Sequence, residues 1–137
     1  MVNCVIFYKN ILRGGMVMKV KEIMTAEPIT INIDNDLNEA TRLLSYHNIG
    51  RLLVTDEGKL VGIITDGDLM IEHDRNAPIK DFMTENLITI NENKSIIDAA
   101  KILAEHQISG LPVMNDENIM VGIITVEDIV YRYLAQK

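Results

Sequence analysis

Tryptophan is absent, and aromatic residues make up only 4% of the 137 residues. Any core must therefore be built from Ile, Leu, Val and Met. Cys4 is the only cysteine, which excludes an internal disulfide and any CxxC metal or redox pair. A reducing cytoplasm is the setting this predicts. No apolar run approaches the roughly 18 residues that span a bilayer, so no membrane association is expected. The N-terminus also lacks the basic start and small-residue cleavage site of a signal peptide. Basic residues are scarce, with 13 Lys and Arg against 20 Asp and Glu, for a net charge of −7. Nucleic-acid affinity comes largely from Lys and Arg on phosphates, so this balance argues against DNA or RNA as a partner. One small anionic ligand held by a few local groups stays open.

The chemistry-bearing motifs are equally sparse. There is no GxxxxGK[ST] phosphate loop. No Ser/His/Asp arrangement is placed for nucleophilic catalysis, and the expectation is that the chain is not an enzyme. His47 and His106 occupy equivalent places at the ends of two helices. A metal pair is the sharper reading, and a donor at a helix C-terminus the simpler one. His73 stands alone, and no Cys/His cluster points to zinc. The eight methionines read as core filling rather than as a flexible binding face.

What the chain does contain is a repeat. Val20-Lys21-Glu22-Ile23-Met24-Thr25 returns as Ile79-Lys80-Asp81-Phe82-Met83-Thr84, and Ile29-Thr30-Ile31-Asn32 as Ile88-Thr89-Ile90-Asn91. His47-Asn48-Ile49 returns as His106-Gln107-Ile108, and Val61-Gly62-Ile63-Ile64-Thr65 as Val121-Gly122-Ile123-Ile124-Thr125. The offset grows by one residue near Asn118-Ile119. We take residues 18–76 as the first repeat and 77–137 as the second. A unit of about 60 residues is marginal alone, which predicts a pseudo-twofold pair packed through its sheets. Residues 1–17 look like a leader. Arg13-Gly14-Gly15 before Met16 and Met18 is what a ribosome-binding sequence would encode if translated, so the natural start is expected at Met16 or Met18. N-terminal sequencing that found Val2 or Asn3 would overturn this.

Each repeat reads β-α-β-β-α, an α/β (α+β) chain. A strand near Ile29–Ile33 leads to an N-cap signal, Asp36 with Glu39, matched by Ser95 with Asp98. Leu37, Ala40, Leu43, Leu44 and His47 then recur at helical spacing, as do Ile96, Ala99, Ala100, Leu103 and His106. A hairpin follows, with Gly58 in the first turn and Asn115-Asp116-Glu117-Asn118 as the second. Pro112 suits a strand start or edge. A second helix begins after Thr65 and again from Val126. The polar run His73–Pro78 joins the repeats. Apolar runs Leu69-Met70-Ile71 and Ile129-Val130-Tyr131 are expected as exposed helix faces covered in a homodimer.

At each strand-to-helix junction stands Gly-Ile-Ile-Thr-x-x-Asp: Thr65 with Asp68, and Thr125 with Asp128. Backbone N–H groups at a helix start form an anion site. The same spacing is also a capping box, which stabilises a helix by about 1 kcal/mol with no ligand. From spacing alone the cap is the simpler reading. Arg51 follows Gly50 at the head of the middle strand, where a guanidinium could grip phosphate or simply edge the strand. Its counterpart, Gly110, carries no charge.

Several of these motifs, in this order and twice over, resemble the cystathionine-β-synthase (CBS) domain pair, or Bateman module. They are Gly62–Asp68, Gly122–Asp128, the Val20–Thr25 opening and Ser109-Gly110-Leu111-Pro112-Val113. The resemblance covers residues 18–137. It implies two clefts between the repeats for an adenosine-containing ligand: AMP, ADP, ATP or S-adenosylmethionine. It implies ribose on Asp68 and Asp128, ribose or phosphate on Thr65 and Thr125, and phosphate on Arg51. It implies adenine beside Thr30, Ile31, Thr89 and Ile90. It implies a stand-alone regulatory module signalling to a partner protein and needing no cofactor. The alternative is a ligand-free structural or dimerisation module with degenerate clefts.

Overall fold

The computed structural model describes residues 18–70 and 74–133. The expectations attached to the leader, Cys4, Ile71 and His73 lie outside those residues. The fold is mixed α/β. Its elements are α1 (Val20–Ile23), β1 (Thr25–Ala26), β2 (Thr30–Asn32), α2 (Leu37–His47), β3 (Arg51–Asp56), β4 (Lys59–Thr65) and α3 (Asp66–Leu69). A 3-10 turn at Ile79–Asp81 precedes β5 (Ile90–Asn91), α4 (Ile96–His106), β6 (Gly110–Met114), β7 (Met120–Thr125) and α5 (Val126–Asp128). A π-type turn, Ile129–Tyr133, continues α5.

The described residues pack as two units, one within Pro28–Leu87 and the other combining residues 18–27 with residues 88–133. In the first unit, β2 runs parallel to β3 and β3 antiparallel to β4. Ile31, Leu37, Ala40, Leu44, Leu52, Val54, Ile64, Leu69 and Ile79 form its core. In the second unit the order is β1-β7-β6-β5. Its core holds Val20, Ile23, Ile90, Ile96, Leu103, Leu111, Val113, Ile124 and Tyr133. Each fully buried Leu or Ile contributes about 1.5–3 kcal/mol, so mostly aliphatic side chains, joined by Tyr133 and Phe82, carry the two cores.

Both long helices begin as their cap signals predict. Asp36 Oδ1 accepts from the Glu39 N–H at 3.0 Å, and Ser95 Oγ from the Asp98 N–H at 3.0 Å. Both end on a left-handed residue, Asn48 (φ 52°) and Gln107 (φ 54°). The following N–H reaches back five residues, from Ile49 to Leu44 O and from Ile108 to Leu103 O, each at 3.1 Å. This Schellman closure explains why the His-Asn-Ile segment returns as His-Gln-Ile. The hairpin turn places Glu57 and Gly58 at φ 49° and 80°, the geometry that matches strand twist. The second hairpin carries the extra residue near Asn118-Ile119, and Ile119 is exposed.

Two expectations need correction. His47 and His106 share the helical spacing of the apolar face but are exposed in the last turn. Leu69 and Ile129 are core residues, only 7% and 6% exposed, because the turn after each junction folds them inward. The exposed apolar side chains there are Met70, Val126, Val130 and Tyr131. The polar joint is hydrogen-bonded to the start of α2 over its described part. Arg75 O and Ala77 O accept from the Asn38 and Leu37 N–H groups, donors that the start of α2 would otherwise leave unpaired.

That last contact exposes a rule of the fold. Met18 O does for α4, through the Ile96 N–H at 3.0 Å, what Ala77 O does for α2. The Val20 N–H donates to Lys94 O as the Ile79 N–H donates to Asn35 O. β1 lies antiparallel on β7, with Thr25 opposite Ile123. Thr84 pairs with Ile63 of β4 in the same way. Each packed unit thus combines the body of one repeat with the opening segment of the other. The opening segment covers a sheet edge that would otherwise present bare N–H and C=O groups. Met24 and Met83 lie over Gly122 and Gly62, so close that a Cβ there would stand 2.7 and 2.6 Å from sulfur.

Candidate functional site

At the end of β4, Thr65 has extended backbone (φ −117°, ψ 164°) and caps α3. Thr65 Oγ1 accepts from the Asp68 N–H at 3.2 Å, and Asp68 Oδ2 accepts from the Thr65 N–H at 2.8 Å. The Asp66 N–H donates to Gly50 O at 2.9 Å. Of the first three helical N–H groups, only that of Gly67 lacks a partner among the described residues. Capping therefore takes up most of the backbone groups on which an anion site would be built. What remains open is a side chain: Asp68 is half-buried, and its Oδ1 accepts no hydrogen bond from the described residues. Arg51 sits directly across from Thr65 in the β3–β4 pairing, so Arg51, Thr65 and Asp68 meet at one end of this sheet.

Thr30 pairs with Leu53, two residues along β3 from Arg51, about 7 Å away at strand rise. Its side chain is exposed, whereas Ile31 is 3% exposed and belongs to the core. In the other unit Thr89 is exposed and Ile90 is core. Strand alternation allows no other outcome for adjacent residues. The isoleucine side chains face inward, which leaves their backbone and the threonines for any contact outside.

The second junction repeats the first and then adds to it. Thr125 caps α5, with the Asp128 N–H donating to Thr125 Oγ1 and the Thr125 N–H to Asp128 Oδ2, both at 3.0 Å. The other carboxylate oxygen is also taken. Thr25, from the opening segment, donates its hydroxyl to Asp128 Oδ1 at 3.1 Å. Arg132 Nε lies 3.6 Å from the same oxygen. Arg132 Nη1 also donates to Met24 O at 2.9 Å and Ile23 O at 3.3 Å. Thr125 and Asp128 are each 9% exposed. Gly110 pairs with Thr125 where the other unit has Arg51. Sequence reasoning missed Thr25 and Arg132. A signal existed for Arg132, since the matching position in the first repeat carries an acid, Glu72.

Among the described residues, no group of three or more His, Cys, Asp or Glu side chains could hold a metal ion. No described helix is long and apolar enough to cross a membrane.

The CBS domain family model matches residues 20–73 and again 79–135. The chain is 32% identical over 123 residues to the CBS domain-containing protein YhcV of Bacillus subtilis, covering 86% of this chain and 87% of that one. It is 41% identical over 112 residues to the L-aspartate semialdehyde sulfurtransferase of Methanocaldococcus jannaschii, covering 80% of this chain but only 22% of that enzyme. Among solved structures, the CBS domain pair of protein MJ0100, in complex with 5′-methylthioadenosine and S-adenosyl-L-methionine, superposes with a TM-score of 0.78 at 37% identity. It covers 89% of this chain and all of that one.

Proposed function

From the premise that this chain belongs to the CBS-domain family, we propose that it is a regulatory module that binds an adenosine-containing ligand and signals to a partner protein. The observation that carries this is the Asp68 Oδ1 that accepts no bond from the described residues, beside Thr65, whose partner across the β3–β4 pairing is Arg51. A carboxylate oxygen accepts from a ribose hydroxyl, and charge-assisted bonds of this kind are the strong ones. Arg51 supplies the guanidinium that would meet a phosphate or a carboxylate further along the ligand. The likeness to a domain pair that takes two adenosyl compounds supports the same class, namely AMP, ADP, ATP or S-adenosylmethionine. The signal is a population shift: ligand adds contacts to one arrangement of the chain and so favours it. The module acts as a homodimer, with the exposed Met70, Val126, Val130 and Tyr131 at the contact, and its output is regulation rather than catalysis.

Calorimetric titration with AMP, ATP and S-adenosylmethionine tests the proposal. Saturable heat is expected with at least one of them, and Asp68→Ala abolishes it while the thermal melt stays cooperative. Absence of binding for all three overturns it.

A further inference from the structure

The two junctions match in sequence, yet among the described residues only Asp68 keeps a carboxylate oxygen without a partner. Backbone docking is the same at both: Thr25 lies against Ile123 as Thr84 lies against Ile63. The side chains differ. Thr25 gives its hydroxyl to Asp128, whereas among the described residues Thr84 gives none to Asp68. Arg132 bridges Asp128 to the Ile23 and Met24 carbonyls, and the matching position holds Glu72. A carboxylate cannot donate to a backbone carbonyl, so the first repeat cannot build this bridge.

We infer that the opening segment Lys19–Ala26 is a built-in competitor for Asp128. It occupies the oxygen that a ribose hydroxyl would take, so ligand engages Asp68 first and reaches Asp128 only when the segment lets go. This inference rests on the adenosyl-ligand reading above. Three features make the segment a competitor rather than a mere neighbour. Thr25 Oγ1 is a hydroxyl, the same donor chemistry as ribose, on the same acceptor atom. Asp128 Oδ2 already faces the Thr125 N–H and hydroxyl and Oδ1 faces Thr25 and Arg132, so an incoming ribose hydroxyl must displace one of them. And Thr25 is also the residue whose backbone extends β7, so losing the hydroxyl contact loosens the strand itself. Coupling between two sites is reciprocal. Ligand on Asp128 favours a released opening segment, and a partner that captures the segment raises affinity at Asp128. The second junction thereby converts ligand occupancy into exposure of the β7 edge.

The test uses the full chain and 5′-methylthioadenosine, a neutral probe that carries the ribose diol without phosphate. Wild type binds one equivalent, lost in Asp68→Ala. Thr25→Val, which keeps shape and removes the donor, and Arg132→Met, which keeps length and removes the charge, each bind two equivalents. Asp128→Ala added to either variant returns the count to one. Thr25→Ser keeps the hydroxyl and stays at one. Without ligand, amide exchange at Thr25 and Ala26 speeds several-fold in Thr25→Val and Arg132→Met but not in Thr25→Ser. Two equivalent sites in wild type overturn the inference. So does a count that stays at one in both variants while Asp68→Ala still abolishes binding, which leaves the functional reading standing. No binding of this probe in any of these proteins overturns the inference, while the functional reading is decided by the titrations with AMP, ATP and S-adenosylmethionine.

Discussion

Replacing Gly122 by alanine tests whether the opening segment is packed as tightly on β7 as the geometry demands. The new Cβ would stand 2.7 Å from Met24 Sδ, 2.8 Å from Thr25 O and 3.2 Å from Met24 Cγ. The sulfur belongs to a flexible side chain and can swing away. The Thr25 carbonyl cannot, because it belongs to the strand that pairs with β7. Relief therefore requires β1 to move, with loss of its pairing and strain on the Arg132 bridge. Overpacking of this kind costs about 1–3 kcal/mol, and the rigid contact puts Gly122→Ala near the top of that range. At roughly 3–5 °C per kcal/mol for a chain of this size, a cost near 3 kcal/mol lowers Tm by about 9–15 °C. Gly62→Ala is the internal control. There the nearest atom is again sulfur, Met83 Sδ at 2.6 Å, but the backbone oxygen, Thr84 O, is 3.1 Å away. Its cost is expected to be about 1 kcal/mol, at the low end of the overpacking range. Urea titration of both variants, with the slope m compared to wild type, measures this. Met24→Ala added to Gly122→Ala should recover only part of the loss, since the carbonyl contact persists. Equal midpoints for the two glycine variants, or full recovery in the double variant, would refute the reasoning.

Two further outcomes follow from the helix ends and the surface. Asp36→Ala and Ser95→Ala each remove the acceptor of a first-turn N–H and should each lower stability by about 1 kcal/mol, read as a shift in urea midpoint at constant m. The half-buried Glu39 carboxyl is held below its ordinary range chiefly by the hydrogen bond from Arg42; burial opposes this, and the guanidinium's charge adds a smaller lowering effect. A carboxyl depressed in the folded state contributes stability above its unfolded pKa and loses it as pH falls through the lowered value. The difference between wild type and Glu39→Gln should accordingly be present at neutral pH, shrink below about pH 4, and fade in 1 M salt.

Much of the architecture was legible from short-range pattern. Asp36 and Ser95 announce their helices because a cap and its third residue are neighbours in the chain, and the apolar spacing of Leu37, Ala40 and Leu44 marks one buried helical face. Gly58 marks its turn because few other residues accept that φ. The pattern failed where a residue sat on the right spacing at the wrong height. His47 and His106 continue the apolar stripe into a last turn that has already left the core. Leu69 and Ile129 looked like surface because the helices after Thr65 and Thr125 were expected to run on regularly. At the junctions, Thr65–Asp68 and Thr125–Asp128 were identifiable as caps, and both are. Their unequal freedom was not, since it depends on Thr25, about a hundred residues from Asp128 along the chain.

The repeated sequence alone determined that there are two β-α-β-β-α bodies, where their helices start and stop, and which side chains fill an aliphatic core. These follow from periodicity and local capping, which act over three or four residues. Only the tertiary structure decided which body each opening segment completes. Val20–Thr25 and Ile79–Thr84 are near-copies, and so are the edges of β4 and β7 with their glycines. Either pairing would satisfy the same pattern of hydrogen bonds and apolar contacts. Packing of the whole chain selected the exchanged pairing. By placing Thr25 and Arg132 on Asp128, it made two junctions of like sequence unlike in chemistry.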